Sequence, residues 1–319
     1  MANASASAEA RKGLQSESGD VLGVALASGL LFGVGQLLPP LSAVASLPLM
    51  IQRVRRGLAA AAMATALAAA ALGAVFSVGS GLLFLLGLAL PGLLLTEALV
   101  RGRGLRTGSF WAFGVLLAQV VVTLLLAGEH LARLALSSFE TTRSEAFLEQ
   151  MRQGGLPAER VQRFAEDVVL FESAMRVVYP AAFVVMAAVV VLLQVALLRA
   201  WLVRRDPGWL EDGEFESTRW PLGLAVVFVL AGATVFLPPL RPAGYNVLLV
   251  VAFFYALQGL AVVTFYAYRL AGPPVLRVAL VVLVLMMPWA PVLLAGLGLF
   301  DTWLDLRRWA RLPAADEGR

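Results

Sequence analysis

The chain has 319 residues, 60% hydrophobic and only 14% charged, with a mean hydropathy of +0.83, too apolar for a soluble globular domain, where about half the residues are apolar and about a quarter charged. The net charge of +4 sits on arginines in short loops, a topology signal rather than the mark of a nucleic-acid or other polyanionic partner. The absence of cysteine and a single histidine, His130, exclude thiol catalysis, a disulfide framework and a Cys- or His-rich metal site.

The windows Val21–Gln52, Thr107–Gly128, Val177–Leu198, Trp220–Leu240, Pro242–Tyr268 and Val278–Phe300 carry no Asp, Glu, Lys or Arg, and between Arg56 and Arg101 only Glu97 is charged. A helix crosses the roughly 30 Å hydrocarbon layer with about 20 apolar residues, so an all-α, polytopic transmembrane bundle in the lipid bilayer is expected. Arginine far outnumbers lysine, of which Lys12 is the sole example, and with the alanine richness this points to a GC-rich bacterial chromosome and an inner-membrane protein.

In chain order, 1–19 reads as a disordered tail rich in Ala, Ser and Glu. A first span runs from Asp20 to about Leu38 and stops at Pro39-Pro40. Ala43-Val44-Ala45 after it mimics a signal-peptide cleavage site, but Met1–Asp20 lacks a positive leader region, so the segment is read as retained. Leu41–Ile51 is either a short span or a re-entrant segment. Gly57–Val78 and Gly81–Val100 form a hairpin about Gly79-Ser80, and Ser109–Gly128 is the next span, completing the N-terminal group 20–128. The polar insert 129–174 follows; Pro157 starts its second helix, and Val161, Phe164, Val168, Phe171 and Met175 fall on one stripe, which predicts an external amphipathic hairpin lying over the bundle. Met175–Val203, Trp220–Leu237, Tyr245–Tyr268 and Val275–Leu299 form the C-terminal membrane group 175–300, and 301–319 is a charged tail. The expectation is eight clear spans plus the short one. Between 204 and 220 lies an acidic loop without the spacing or glycine of a calcium loop.

Arginines at 53–56, 101–106, 199–205 and 269–277 alternate with loops holding only Arg241, which places the N-terminus in the cytoplasm. A ninth crossing would export Arg307, Arg308 and Arg311, against the rule; an external tail is nevertheless the first reading, with a hairpin broken at Pro288 and Pro291 returning it as the alternative.

Gly29 and Gly33 form a GxxxG pair, and Ala59–Ala74 is almost all small; such faces serve helix packing or the docking of another subunit. Polar residues inside spans are few: Glu97 near an interface, and Gln119, Gln194, Asn246 and Gln258, read as interhelical hydrogen bonds or as solute contacts. No Walker A, HExxH, GxSxG or paired catalytic carboxylates occur, so neither an enzyme nor a cofactor site is expected.

The run Pro238–Asn246, the step Phe253-Phe254-Tyr255-Ala256-Leu257-Gln258-Gly259, and the run Gly296-Leu297-Gly298-Leu299-Phe300-Asp301 through Asp305 and Arg307 resemble the YybS-like family of bacterial membrane proteins. That family is distantly similar to the substrate-binding subunits of energy-coupling-factor transporters, which have no ATPase of their own. The resemblance implies pocket roles for Tyr245, Asn246, Tyr255 and Gln258, and docking roles for Gly29, Gly33 and the alanine face; helix packing and an interfacial tyrosine anchor are the competing readings of the same residues. Two functions stay open: a small-solute-binding transporter component, or an envelope assembly protein recruiting membrane subunits or a second copy of itself.

Overall fold

The computed structural model describes residues 20–35, 42, 44–205, 215–269, 283–284, 286–287 and 289–308, and every regular element among them is helical. The tail at 1–19, the acids at 206–214, the start of the last expected span at 275 and the residues beyond 308 lie outside the described residues. The helices are α1 (Asp20–Gly35), α2 (Leu47–Arg56), α3 (Leu58–Val75), α4 (Val78–Val100), α5 (Gly104–Thr142), α6 (Glu145–Gln153), α7 (Ala158–Arg205), α8 (Leu222–Thr234), α9 (Arg241–Arg269) and α10 (Ala290–Leu304). Five of them, α3, α4, α5, α7 and α9, are long and apolar enough to cross a membrane. The other apolar helices, α1, α8 and α10, are shorter, and α10 with 15 residues reaches only ~22 Å along its axis. Among the described residues there are thus five candidate spans and three shorter apolar helices, beside an expectation of eight or nine spans for the whole chain.

Two compact units form, one from 1–122 with 186–212 and the other from 123–185 with 213–319, so α5 and α7 contribute a half to each. In the first unit, α3 buries the stripe Ala61, Ala64, Ala68 and Leu72, whose spacing of three and four keeps small side chains on one face. That stripe joins Val21, Ala25 and Phe32 of α1 and Phe84 of α4 in one cluster, with Phe32 edge-on to Phe84 at 5.5 Å. The alanine face, read as serving packing or docking, packs inside the chain along this stripe, while Met63 and Leu67 of the same helix are exposed. The turn between α3 and α4 falls at Phe76-Ser77, three residues before the expected Gly79-Ser80, because the Ser77 hydroxyl accepts from the Ser80 N–H at 3.1 Å and starts the next helix. Within α4, Leu83–Ala89 is wound as a π-helix just ahead of Pro91, which has no N–H to give the preceding turn. Gln194 donates to the Leu88 carbonyl of that segment at 2.8 Å and to the Ser46 hydroxyl at 3.1 Å.

Ion pairs gather one end of this unit. Arg56 pairs with Asp20 at the start of α1, and Glu97 accepts from Arg53 at 2.7 Å and from Arg101 at 2.6 Å. The two arginine loops that the charge count puts on one side thus lie at one end. α2 has ten residues and runs only ~15 Å along its axis, less than a hydrocarbon layer.

In the second unit, the polar insert is no separate hairpin. α5 continues to Thr142 through a kink at Ala127 (φ −143°, ψ 34°), and α7 starts at Ala158, directly after Pro157, and runs without a break into the following span. Only α6 is independent, N-capped by Ser144, whose hydroxyl accepts from the Phe147 N–H. Val161 and Val168 of the predicted stripe are buried, but Phe171 is 65% exposed. The inward position goes to Glu172, which pairs with Arg143 at 3.0 Å and with Arg176.

Helices α9 and α10 approach closely where both lack side chains: a Cβ on Gly259 would meet the Leu294 carbonyl, and one on Gly298 the Tyr255 carbonyl. By contrast no atom lies within 4 Å of a Cβ placed on Gly29, and one on Gly33 would rest against the Phe76 ring at 3.4 Å. The GxxxG pair of the first span therefore lies at no backbone contact among the described residues, whereas Gly81, Gly108, Gly259 and Gly298 each face a backbone carbonyl of another helix.

Candidate functional site

The four residues expected to line a pocket do not share one site. Tyr245 is 42% exposed on α9. Asn246, one residue on, uses its whole amide on α7: Oδ1 accepts from the Ala181 N–H at 2.8 Å, and Nδ2 donates to the Val177 carbonyl at 2.8 Å and to the Pro242 carbonyl at 2.7 Å. Pro180 lies inside that turn of α7, where it has no N–H and crowds the preceding carbonyl, so the asparagine serves the backbone groups of a loosened turn.

Tyr255 and Gln258 lie ~14–18 Å further along the α9 axis. Tyr255 is buried and stacks edge-on against Phe228 at 6.2 Å. Gln258 is fully buried; its Oε1 accepts from the Trp220 N–H at 2.9 Å, and its Nε2 donates to Asp301 Oδ2 at 2.9 Å. Asp301 in turn accepts from Arg307 Nη2 at 2.6 Å and from the Leu306 N–H at 3.1 Å, and Arg307 also donates to the Thr218 carbonyl at 2.9 Å. Asp301 and Arg307 are 1% and 0% exposed. Composition places both in a charged tail; within it they form a buried ion pair. Asp305, in a left-handed backbone conformation (φ 42°), turns the chain back so that Arg307 reaches inward, and it also pairs with Arg219, whose guanidinium it holds above its ordinary pKa.

Arg307 on Thr218, and Asp305 on Arg219, bring the segment after α10 to the same end of the unit as the approach to α8.

A different place has room for a ligand. Between α1 and α2, in the first unit, lies a cavity of about 660 Å³ lined by Val24, Leu31, Leu47 and Ile51, with Gln52, Arg55, Arg56 and Asp20 on its polar side. Gln52 is 5% exposed, and its Nε2 is buried without a hydrogen-bond partner. An orphan amide of this kind costs about 1–3 kcal/mol, which an acceptor bound in the cavity would recover. Little in the chain marks Gln52: it ends a charge-free window and is followed by Arg53, Arg55 and Arg56, so it reads as part of a loop.

Tyr245, Asn246, Tyr255 and Gln258 thus lie at the surface, on the backbone of α7 and in the core of the unit. No curated protein and no solved structure matches the chain. The sequence model of a family described as predicted membrane protein (DUF2232) matches residues 26–302, most of the chain, and the chain belongs to that family of membrane proteins.

Proposed function

We propose that this chain is a non-enzymatic, multi-pass component of the bacterial cytoplasmic membrane that binds a small solute, and that it does so in the cavity between α1 and α2 rather than along Tyr245–Gln258. The observation that carries the reading is that cavity: about 660 Å³ falls within the range of small-molecule pockets, its walls are mostly apolar, and the buried Gln52 amide on it has no partner. The amides of Asn246 and Gln258, by comparison, are engaged at both ends. The resemblance to the YybS-like family, and through it to the substrate-binding subunits of energy-coupling-factor transporters, supports a component that works with an ATPase supplied by another chain. The arginine distribution supports a cytoplasmic N-terminus, and the contact of Arg307 with Thr218 supports a cytoplasmic C-terminal end as well.

The test is a thermal-shift screen of the purified protein in neutral detergent against vitamins and metabolites. The proposal expects at least one stabilising compound, its effect lost in Gln52→Leu and retained in Tyr245→Ala; the absence of any stabilising compound overturns it. A second reading, an envelope assembly protein, is favoured by the open face around Gly29. Recovery of a stoichiometric partner that is lost on Gly29→Leu supports that reading, and recovery of an ATPase with a coupling subunit removes it.

A further inference from the structure

The cavity between α1 and α2 is chemically two-sided. Val24, Leu31, Leu47 and Ile51 offer hydrocarbon, and the other side offers charge. Counting that charge pair by pair leaves an excess of one sign. Asp20 is the acid on the cavity, and it is neutralised by Arg56. Arg53, on the same turn of α2, is taken by Glu97. Among the described residues no carboxylate pairs with Arg55; its guanidinium lies over the Trp201 ring at 5.5 Å. Stacking of this kind keeps the cation charged and uses the face of the guanidinium, leaving its N–H edge for an acceptor. Gln52 adds a buried donor without an acceptor. The polar side thus holds one uncompensated positive charge and at least two sets of uncommitted donors, with no uncommitted acid.

We propose that this cavity binds an amphiphile, with its hydrocarbon body against α1 and α2 and its oxyanion head, a carboxylate or phosphate, at Gln52 and Arg55. The inference rests on the ligand-binding reading above and narrows it to one chemical class. A paired, charge-assisted contact of an oxyanion with guanidinium and amide is the strong form of this hydrogen bond, and the volume suits one drug-sized body. The oxyanion has two possible sources, a free amphiphile or the headgroup of a membrane lipid, and they are separated by experiment.

The protein in a neutral maltoside detergent is titrated with laurate, dodecyl phosphate, dodecanol and dodecyltrimethylammonium, and with butyrate and inorganic phosphate as heads without tails, by thermal shift and native mass spectrometry. The expected result is saturable binding of laurate or dodecyl phosphate, no binding of the trimethylammonium probe, and affinity at least about tenfold weaker in Arg55→Gln, the loss of one hydrogen bond to a charged group. Gln52→Leu weakens it too, and Arg55→Lys recovers part of the loss, which a merely misfolded variant would not. In phosphatidylcholine nanodiscs, competition by added phosphatidylglycerol identifies the lipid headgroup as source; undiminished laurate binding identifies the free amphiphile; both support the proposal. Equal binding of dodecyltrimethylammonium or dodecanol, unaffected by Arg55→Gln, overturns the oxyanion while leaving a ligand site. Inorganic phosphate binding as tightly as dodecyl phosphate overturns the hydrocarbon body. If no dodecyl probe binds but a metabolite does so through Gln52, this inference falls and the solute-binding function stands; if nothing binds, both fall.

Discussion

Replacing Asn246 with leucine, of similar size, removes an acceptor from the Ala181 N–H and a donor from the Val177 carbonyl. Ala181 is 2% exposed, so water does not replace the lost partner. Interhelical hydrogen bonds between membrane helices average ~0.6 kcal/mol and reach ~1.7, so the two together are worth about 1–3 kcal/mol. The reasoning goes further, because the asparagine is needed only while Pro180 loosens the turn. In Pro180→Ala the backbone rung from Ala181 to Val177 closes on itself, and Asn246→Leu then costs less than about 0.5 kcal/mol. The double-mutant cycle, measured by reversible unfolding in mixed micelles, should show a coupling of about 1–2 kcal/mol. Additivity of the two substitutions within about 0.5 kcal/mol would refute the assignment of Asn246 to the proline turn.

Three further outcomes follow from the packing. Gly298→Ala places a methyl on the Tyr255 carbonyl and forces α9 and α10 apart, at a cost of about 1–3 kcal/mol or more, whereas Gly29→Ala meets open space and stabilises by roughly 0.5–1 kcal/mol through helix propensity; unfolding midpoints of the two variants decide, and equal effects contradict the account. Asp301→Asn strands Arg307 without a counter-charge and should cost about 3–5 kcal/mol, while Asp301→Leu combined with Arg307→Met costs clearly less than Asp301→Asn; a double variant as unstable as the single one contradicts the pairing. Cysteines introduced at Ser217 and at Arg308, both exposed, should react with an impermeant maleimide from the same side of inverted vesicles; labelling from opposite sides contradicts the returned C-terminal end.

Much of the helical layout was legible because charge-free windows are long and lipid leaves the backbone no alternative to helix. Leu58–Val75 and Arg241–Arg269 fall close to where hydropathy put them. The insert was misjudged since a polar helix that continues an apolar one has no stop signal to read; nothing between Pro157 and Arg205 except Pro180 interrupts α7. Close helix contacts were misassigned for a related reason. A GxxxG spacing within one helix is visible in sequence, but Gly259 and Gly298 meet only once α9 and α10 are folded together. The buried pair was hidden by composition, as Asp301 and Arg307 sit beside Asp305 and Arg308 in a run that reads as solvated. Their inward placement depends on the left-handed turn at Asp305. The polar residues of the spans were correctly singled out as costly, yet residue type alone does not say whether an amide serves a ligand or a neighbour's backbone. Asn246 and Gln258 found protein partners at both ends of the amide and Gln194 through its Nε2, whereas the Gln52 Nε2, at the edge of a basic segment, did not.

The central claim is that ligand binding belongs to the cavity between α1 and α2. It is tested most directly by photo-cross-linking the wild-type protein in nanodiscs with a diazirine-bearing laurate, followed by mapping of the labelled peptides. The account predicts label within Asp20–Arg56, competed by unmodified laurate and reduced in Arg55→Gln. Competable label concentrated on the Tyr245–Gln258 stretch of α9, with α1 and α2 unmarked, would contradict it.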